Sequence, residues 1–306
     1  MSAISEKLSQ IPVLGWVVNF FQKIKLPWLS GLSLYELLEL YVIGIVNGAF
    51  SYRAGAIAFS FFMALFPFAL FILNLIPFIP IEGFQQDFMR FIEESVPPTT
   101  FDAIFSIIND ILNNSYQGLL STGFLLSIFL SANGINAILG GFEISYHITE
   151  TRNFFRLYLI SVLLSLLLSL LLIITVAAII VAEVLIQKIQ FGSFIDGNVL
   201  LIQISRFGFV ILMILTTTSI LFKFGTKQTS QIPFISIGSV FTTVLIILSS
   251  YLFGIYVVKF AKYNELYGSI GTLLILMFYI WINCMILLLG FELNATINKL
   301  KRKDLF

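Results

Sequence analysis

One cysteine and one histidine occur in the whole chain, Cys284 and His147. A single thiol excludes any disulfide framework within the chain. A His/Cys metal site or a Cys–His nucleophilic pair would need every residue of both kinds, and these two lie far apart in sequence. Charge is equally scarce. Asp, Glu, Lys and Arg together make up 11% of the 306 residues, and the formal net charge is +1, so no global field points to nucleic acid. No Gly-rich phosphate loop, H-E-x-x-H or G-x-S-x-G motif is found. A convincing signal peptide is missing too. The apolar stretch Ile11–Phe21 contains Pro12, has no basic start and no clear small-residue cleavage site, and reads as a short interfacial helix on an uncleaved chain.

What the chain does have is apolar side chains. They account for 58% of it, with 33 Phe, and the mean hydropathy is +1.00. A soluble domain is about 45–50% apolar and about 25% charged. The expected fold class is therefore an all-α integral membrane protein. About 20 apolar residues span a bilayer as a helix, and six stretches qualify: about 54–79, 118–142, 157–186, 200–222, 234–258 and 269–291. The third is longer than a span needs and is expected to tilt or protrude. The first carries Pro67, which removes a backbone hydrogen bond and predicts a kink.

The spacing around these spans predicts a six-transmembrane helix bundle in three parts. Residues 1–53 form cytoplasmic or interfacial amphipathic helices, 54–296 the six-helix domain and 297–306 a basic tail. Residues 32–55 hold an apolar piece of about 13 residues, too short to span, with Gly44 and Gly48 as a small-xxx-small pair able to bring two helices close. The longest loop, about 80–117, sets Glu82, Asp87, Glu93, Glu94, Asp102 and Asp110 against Arg90. Prolines, then Thr100 as an N-cap, then apolar residues at helical spacing predict short amphipathic helices in this first extracytoplasmic loop. Asn113 and Asn294 each open a glycosylation sequon, a pattern common by chance.

Basic residues set the orientation. With the N-terminus inside, inner segments carry twelve (Lys7, Lys23, Lys25, Arg53, Arg152, Arg156, Lys223, Lys227, Lys299, Lys301, Arg302, Lys303) and outer segments four (Arg90, Lys188, Lys259, Lys262). Twelve against four obeys the positive-inside rule. Six spans also return the basic C-terminus to the inside.

Polar residues within spans are functional candidates by default. An inner set comprises Arg53, Asn133, Asn136, Glu143, Glu292 and Asn294. Asn133 and Asn136, three apart, share a helix face. Glu292 and Asn294, two apart, cannot point the same way. One is expected to face Arg53 and the other a helix end or water. An outer pair, Glu183 and Arg206, lies on consecutive spans and can meet across their hairpin. Each set reads either as the lining of a cavity or as internal pairing. Asn283 is expected to make an interhelical hydrogen bond, Cys284 to be a small buried hydrophobe, and His147 to be a solvated or interfacial side chain.

Two stretches carry a family resemblance. "YRAGAIAFSFFMALFPFALFILNLI", residues 52–76, resembles the first-span motif of the YihY/BrkB family. "YGSIGTLLILMFYIWINCMILLLGFELNATI", residues 267–297, resembles its last span, which opens Tyr-Gly-Ser-x-Gly and closes Gly-x-Glu-x-Asn. By that resemblance Arg53, Pro67, Tyr267, Gly268, Gly271, Glu292 and Asn294 are family-typical positions. Phe291 stands where the family pattern tends to have a small residue. The resemblance implies a bacterial inner-membrane protein with about six spans. Members have carried the label ribonuclease BN. This chain, with one His, no soluble domain and no basic groove, lacks what RNA binding needs.

The expected function is transport or translocation of a lipid or amphipathic solute, for which a polar groove should open between midplane and inner face. The alternative is a non-catalytic structural or scaffolding protein, in which the polar residues pair among themselves. No enzyme, cofactor or metal is expected. The expected partners are membrane lipids and further copies of the chain, with no nucleic acid.

Overall fold

The computed structural model describes residues 20–25, 33–76, 79, 83–95, 105, 108–109, 119–188, 195–228, 232–260 and 269–303. Most of the 11–21 stretch, Thr100, Asn113, Tyr267 and Gly268 lie outside these residues. The named elements are all helices: α1 (Leu34–Asn47), α2 (Phe50–Leu75), α3 (Phe84–Ser95), α4 (Leu119–Glu143), α5 (Phe154–Lys188), α6 (Ile195–Gly225), α7 (Ile237–Phe260) and α8 (Ser269–Lys303). Among the described residues, four segments are long and apolar enough to cross a membrane: Phe154–Ile186, Leu201–Gly225, Ile237–Val257 and Leu273–Lys301. The bent pair Leu34–Asn47 and Phe50–Leu65 makes a fifth if counted as one span. The stretch expected at 118–142 is helical over Leu119–Glu143, as α4.

The local starts and stops follow from sequence. Ser33 caps α1 by accepting the Glu36 N–H, while the Glu36 carboxylate takes the Ser33 N–H at 2.8 Å, a reciprocal capping box. The helix ends where the Gly48 N–H closes on the Gly44 carbonyl at 3.0 Å. Ala49 then adopts φ 46°, a left-handed conformation that costs an L-residue about 1–2 kcal/mol. Here α1 and α2 meet at 63°. α2 runs as one helix through Pro67.

The chain folds as two compact units. One comprises Met1–Ala56, Leu139–Arg152 and Thr218–Phe306. In it α8 packs along α7 and against α1. Leu37 of α1 is buried with Ile297 and Leu300 of α8. Where α7 and α8 cross, a Cβ on Gly290 would strike Thr242 Oγ1, and one on Gly238 would strike the Gly290 carbonyl. Small residues therefore set the closeness of this crossing. Phe291 fills space that a small residue would leave. Its ring is fully buried and stacks on Phe142 at 4.1 Å between centroids, with Phe222 edge-on at 6.0 Å. Cys284 is buried. Asn283 departs from expectation: its side-chain amide donates to the Tyr279 carbonyl at 2.8 Å, one turn back on its own helix.

The other unit comprises Ile57–Ile138 and Asn153–Thr217. Its short helix α3 begins after Gly83, whose φ of 77° suits only glycine readily. Phe84 and Phe88, one turn apart, are buried with Ile76, Ile108 and Ile180, while Gln86, Arg90 and Glu93 are exposed. That is the two-faced pattern of an amphipathic helix.

Candidate functional site

Glu292 is fully buried. Its Oε2 accepts the Ser145 hydroxyl at 2.7 Å and lies 3.9 Å from Arg53 Nη1. Arg53 is 3% exposed. Its Nε donates to the Gly141 carbonyl at 2.9 Å and its Nη1 to the Gly48 carbonyl at 3.1 Å. Two polar atoms in this pair have no hydrogen-bond partner among the described residues, Arg53 Nη2 and Glu292 Oε1. Gly44 makes the room. A Cβ there would stand 2.5 Å from Glu292 Oε1 and 2.8 Å from His147 Nε2. The small-xxx-small pair thus admits a carboxylate and an imidazole to the face of α1.

His147 is buried, where a solvated or interfacial side chain was expected. Its Nε2 lies 3.1 Å from the Leu40 carbonyl. A carbonyl only accepts, so Nε2 carries the hydrogen. Nδ1 is then the acceptor, and Lys299 Nζ donates to it at 3.3 Å. The same ammonium sits 5.2 Å from the Tyr146 ring centroid, within cation–π range. Burial first, and the Lys299 charge second, push the imidazole down to about 4, against the pull of the Leu40 carbonyl. The ring is neutral at pH 7. Glu292 Oε1 lies 3.7 Å from Nε2, beyond hydrogen-bond reach. Tyr41 adds a hydrogen bond from α1 to the Leu289 carbonyl at 3.1 Å.

The other inner candidates have partners of their own. Glu143 Oε2 accepts the Arg152 backbone N–H at 2.8 Å, and Arg152 Nη1 lies 3.8 Å from Glu143 Oε1. That guanidinium also donates to the Phe224 and Gly225 carbonyls at 2.8 and 3.0 Å, a cation placed on the last carbonyls of α6. Asn294 Oδ1 accepts the Gly238 N–H at 2.9 Å, and its amide donates to Ser236 Oγ at 2.8 Å. It completes the N-terminus of α7 from a neighbouring helix. Being 3% exposed, it is no surface sequon. Asn133 and Asn136 belong to the other unit. Asn133 is exposed, and Asn136 accepts the Ser161 hydroxyl at 3.4 Å. Within the first unit, Glu143 and Asn294 thus have partners of their own, apart from those of the Arg53–Glu292 pair. Arg53 and Glu292 come together, joined by Ser145, His147 and Lys299, none of which sequence reasoning places beside them. The available signal is that His147, the sole histidine, follows an apolar helix end closely. In the second unit Arg206 Nε donates to Glu183 Oε1.

That second unit also encloses a cavity of about 320 Å³, within the ~300–1,000 Å³ range of small-molecule sites. Each helix lends it one face: Phe61, Ala64, Leu65 and Phe68 of α2; Ser131, Gly134 and Ile135 of α4; Ser165, Leu168 and Leu172 of α5; Met213 and Thr217 of α6. It is overwhelmingly apolar, unlike the polar groove expected. No group of three or more His, Cys, Asp or Glu among the described residues is placed to hold a metal ion.

No solved structure matches the chain. The ribonuclease-like protein YfkH of Bacillus subtilis (strain 168) is 30% identical over 261 residues, covering 82% of this chain and 90% of that one. The UPF0761 membrane protein NT05HA_1801 of Aggregatibacter aphrophilus (strain NJ8700) is 24% identical over 253 residues, covering 82% of this chain and 88% of its own. Residues 46–305 match the family described as Virulence factor BrkB, and the chain belongs to that family of membrane proteins.

Proposed function

We propose that this protein moves a lipid or another amphipathic solute across the bacterial inner membrane, in which it is threaded six times with both termini inside. The observation that carries this reading is the apolar cavity bounded by α2, α4, α5 and α6. Six of its lining side chains, Phe61, Leu65, Phe68, Leu168, Leu172 and Met213, are only half-buried, so the space is not walled off from the surface of the unit. An apolar pocket of this size suits hydrocarbon rather than a hydrated ion. The twelve-to-four distribution of basic residues supports the orientation, and membrane lipids are the partners the cavity chemistry favours. The reading includes no catalytic step and no nucleic acid. The word ribonuclease in the name of one relative has no counterpart in the chemistry of this site.

A second reading, a structural or scaffolding membrane protein, self-associating or not, draws on the first unit. There Arg53, Glu143, Glu292 and Asn294 each have partners within the unit. Reconstitution decides between the two. Liposomes containing the full-length protein and a trace of head-group-labelled fluorescent phospholipid are bleached from outside with a membrane-impermeant reductant. Transport predicts loss of the inner-leaflet signal faster than in empty liposomes, and slower loss with Met213→Trp. Identical bleaching with and without protein overturns transport and leaves the scaffold.

A further inference from the structure

No Asp, Glu, Lys, Arg or His lines the cavity. A charged head group would find no counter-ion in it and would have to stay outside, because an unpaired charge is costly to bury. The wall is nevertheless not uniform. Ser131 and Ser165 are both buried, with their hydroxyl oxygens 2.9 Å apart. Ser131 Oγ donates to the Ile128 carbonyl at 2.9 Å. A hydroxyl has one hydrogen, so the bond between the serines uses the Ser165 hydrogen, and each oxygen keeps acceptor capacity. Thr217, on α6, lines the same cavity, and its hydroxyl makes no hydrogen bond among the described residues. Inside a membrane helix such a hydroxyl would ordinarily bond the carbonyl one turn back, as Thr175 does with Leu171 at 2.8 Å.

We propose that the cavity holds the ester-bearing segment of an acyl chain: hydrocarbon fills the apolar volume and an uncharged ester oxygen accepts the Thr217 hydroxyl. The Ser131–Ser165 pair offers acceptors to a hydroxyl beside the ester where the ligand carries one, as a monoacylglycerol does. This rests on the lipid-handling reading above and narrows it: recognition is of the chain and its ester, and the charged head group contributes nothing within the cavity. The ester-bearing chain belongs either to a bilayer phospholipid or to a free amphiphile.

The test uses the full-length protein in detergent, with ligand retained after gel filtration as the readout. The probes are 1-monododecanoylglycerol, dodecane as a chain without oxygen, and phosphatidylglycerol as a competitor. One hydrogen bond corresponds to about a fivefold preference for the ester over the alkane. Thr217→Val should abolish that preference while leaving dodecane retention unchanged, and Ser165→Ala should lower it. Equal retention of ester and alkane, or a preference that survives Thr217→Val, overturns the proposal while cavity binding stands. Leu168→Trp and Met213→Trp, two independent ways of filling the space, should abolish retention of both probes. If both probes persist in both variants, the cavity reading itself falls. Displacement of the glycerol ester by phosphatidylglycerol identifies the source as bilayer lipid. Failure to displace it, with the ester preference intact, identifies a free amphiphile.

Discussion

Arg53 Nη1 and Glu292 Oε2 stand 3.9 Å apart, each sealed from solvent, in contact but short of a hydrogen bond. One comes from the first turn of α2 and the other from far along α8. Removing either charge leaves the other buried without its counter-ion, which costs roughly 3–5 kcal/mol. Arg53→Ala and Glu292→Ala should each lower stability by that order in detergent denaturation. Arg53→Met with Glu292→Leu should recover most of the loss. Glu292→Gln should fold, because Ser145 keeps an acceptor and Arg53 keeps the Gly48 and Gly141 carbonyls. If Arg53→Ala combined with Glu292→Ala loses the sum of the two single losses, the two charges act independently.

Asn294 makes its contribution at the start of α7. Asn294→Ala removes the acceptor of the Gly238 N–H and the donor to Ser236, at a cost of about 1–2 kcal/mol by analogy with lost N-caps. Asn294→Asp keeps the acceptor and places a negative charge at a helix N-terminus. It should melt above the alanine variant, and the reverse order would remove Asn294 from this capping role.

His147 predicts a pH dependence. Its folded pKa, about 4, lies below the ordinary ~6.5. The unfolded chain therefore binds more protons between these values, and stability rises with pH across that window. The contribution is complete above about pH 6.5, is lost as pH falls toward 4, and is worth on the order of 3 kcal/mol at about 1.4 kcal/mol per unit. The melting temperature of wild type should fall through this range more steeply than that of His147→Gln, which supplies an N–H to Leu40 without titrating. Parallel profiles would mean that the imidazole is not held neutral by its surroundings.

At the α7–α8 crossing, Gly290→Ala should destabilise the protein because the new Cβ meets Thr242 Oγ1. Thr242→Ala in the same chain removes that atom and should restore part of the melting temperature. Only part is expected, since the Gly238 carbonyl would still lie 2.9 Å from the added carbon. No recovery at all would place the clash elsewhere.

At the bend between α1 and α2, Ala49 holds a positive φ that glycine adopts freely. Ala49→Gly should raise stability by roughly 1 kcal/mol, read as a higher melting temperature. A lower one would mean that the alanine methyl makes packing contacts worth more than the backbone strain.

How much of this is legible in the sequence differs residue by residue. Glu292 and Asn294 have to point apart because two residues on a helix subtend roughly 200°, and one does meet Arg53 while the other meets a helix end. Glu183 and Arg206 pair because consecutive long apolar runs must turn back on each other. The partnership of Glu143 and Arg152 is not legible, since it depends on the irregular segment after α4. His147 goes against expectation for the same reason: loop residues look solvated until tertiary packing covers them.

The sequence by itself determined that this chain is a helical membrane protein. Backbone groups in hydrocarbon must be satisfied within the segment, and only apolar runs of sufficient length meet that condition. It also determined the local caps, such as Ser33 with Glu36, and the family motif at 290–294. Which polar groups meet was decided by the tertiary structure alone. Gly44, Gly238 and Gly290 act by what they leave empty, and an empty volume is defined only by the other helices around it. The cavity between α2, α4, α5 and α6 is the same kind of property. It belongs to four helix faces at once, and each of those faces on its own is simply an apolar stripe.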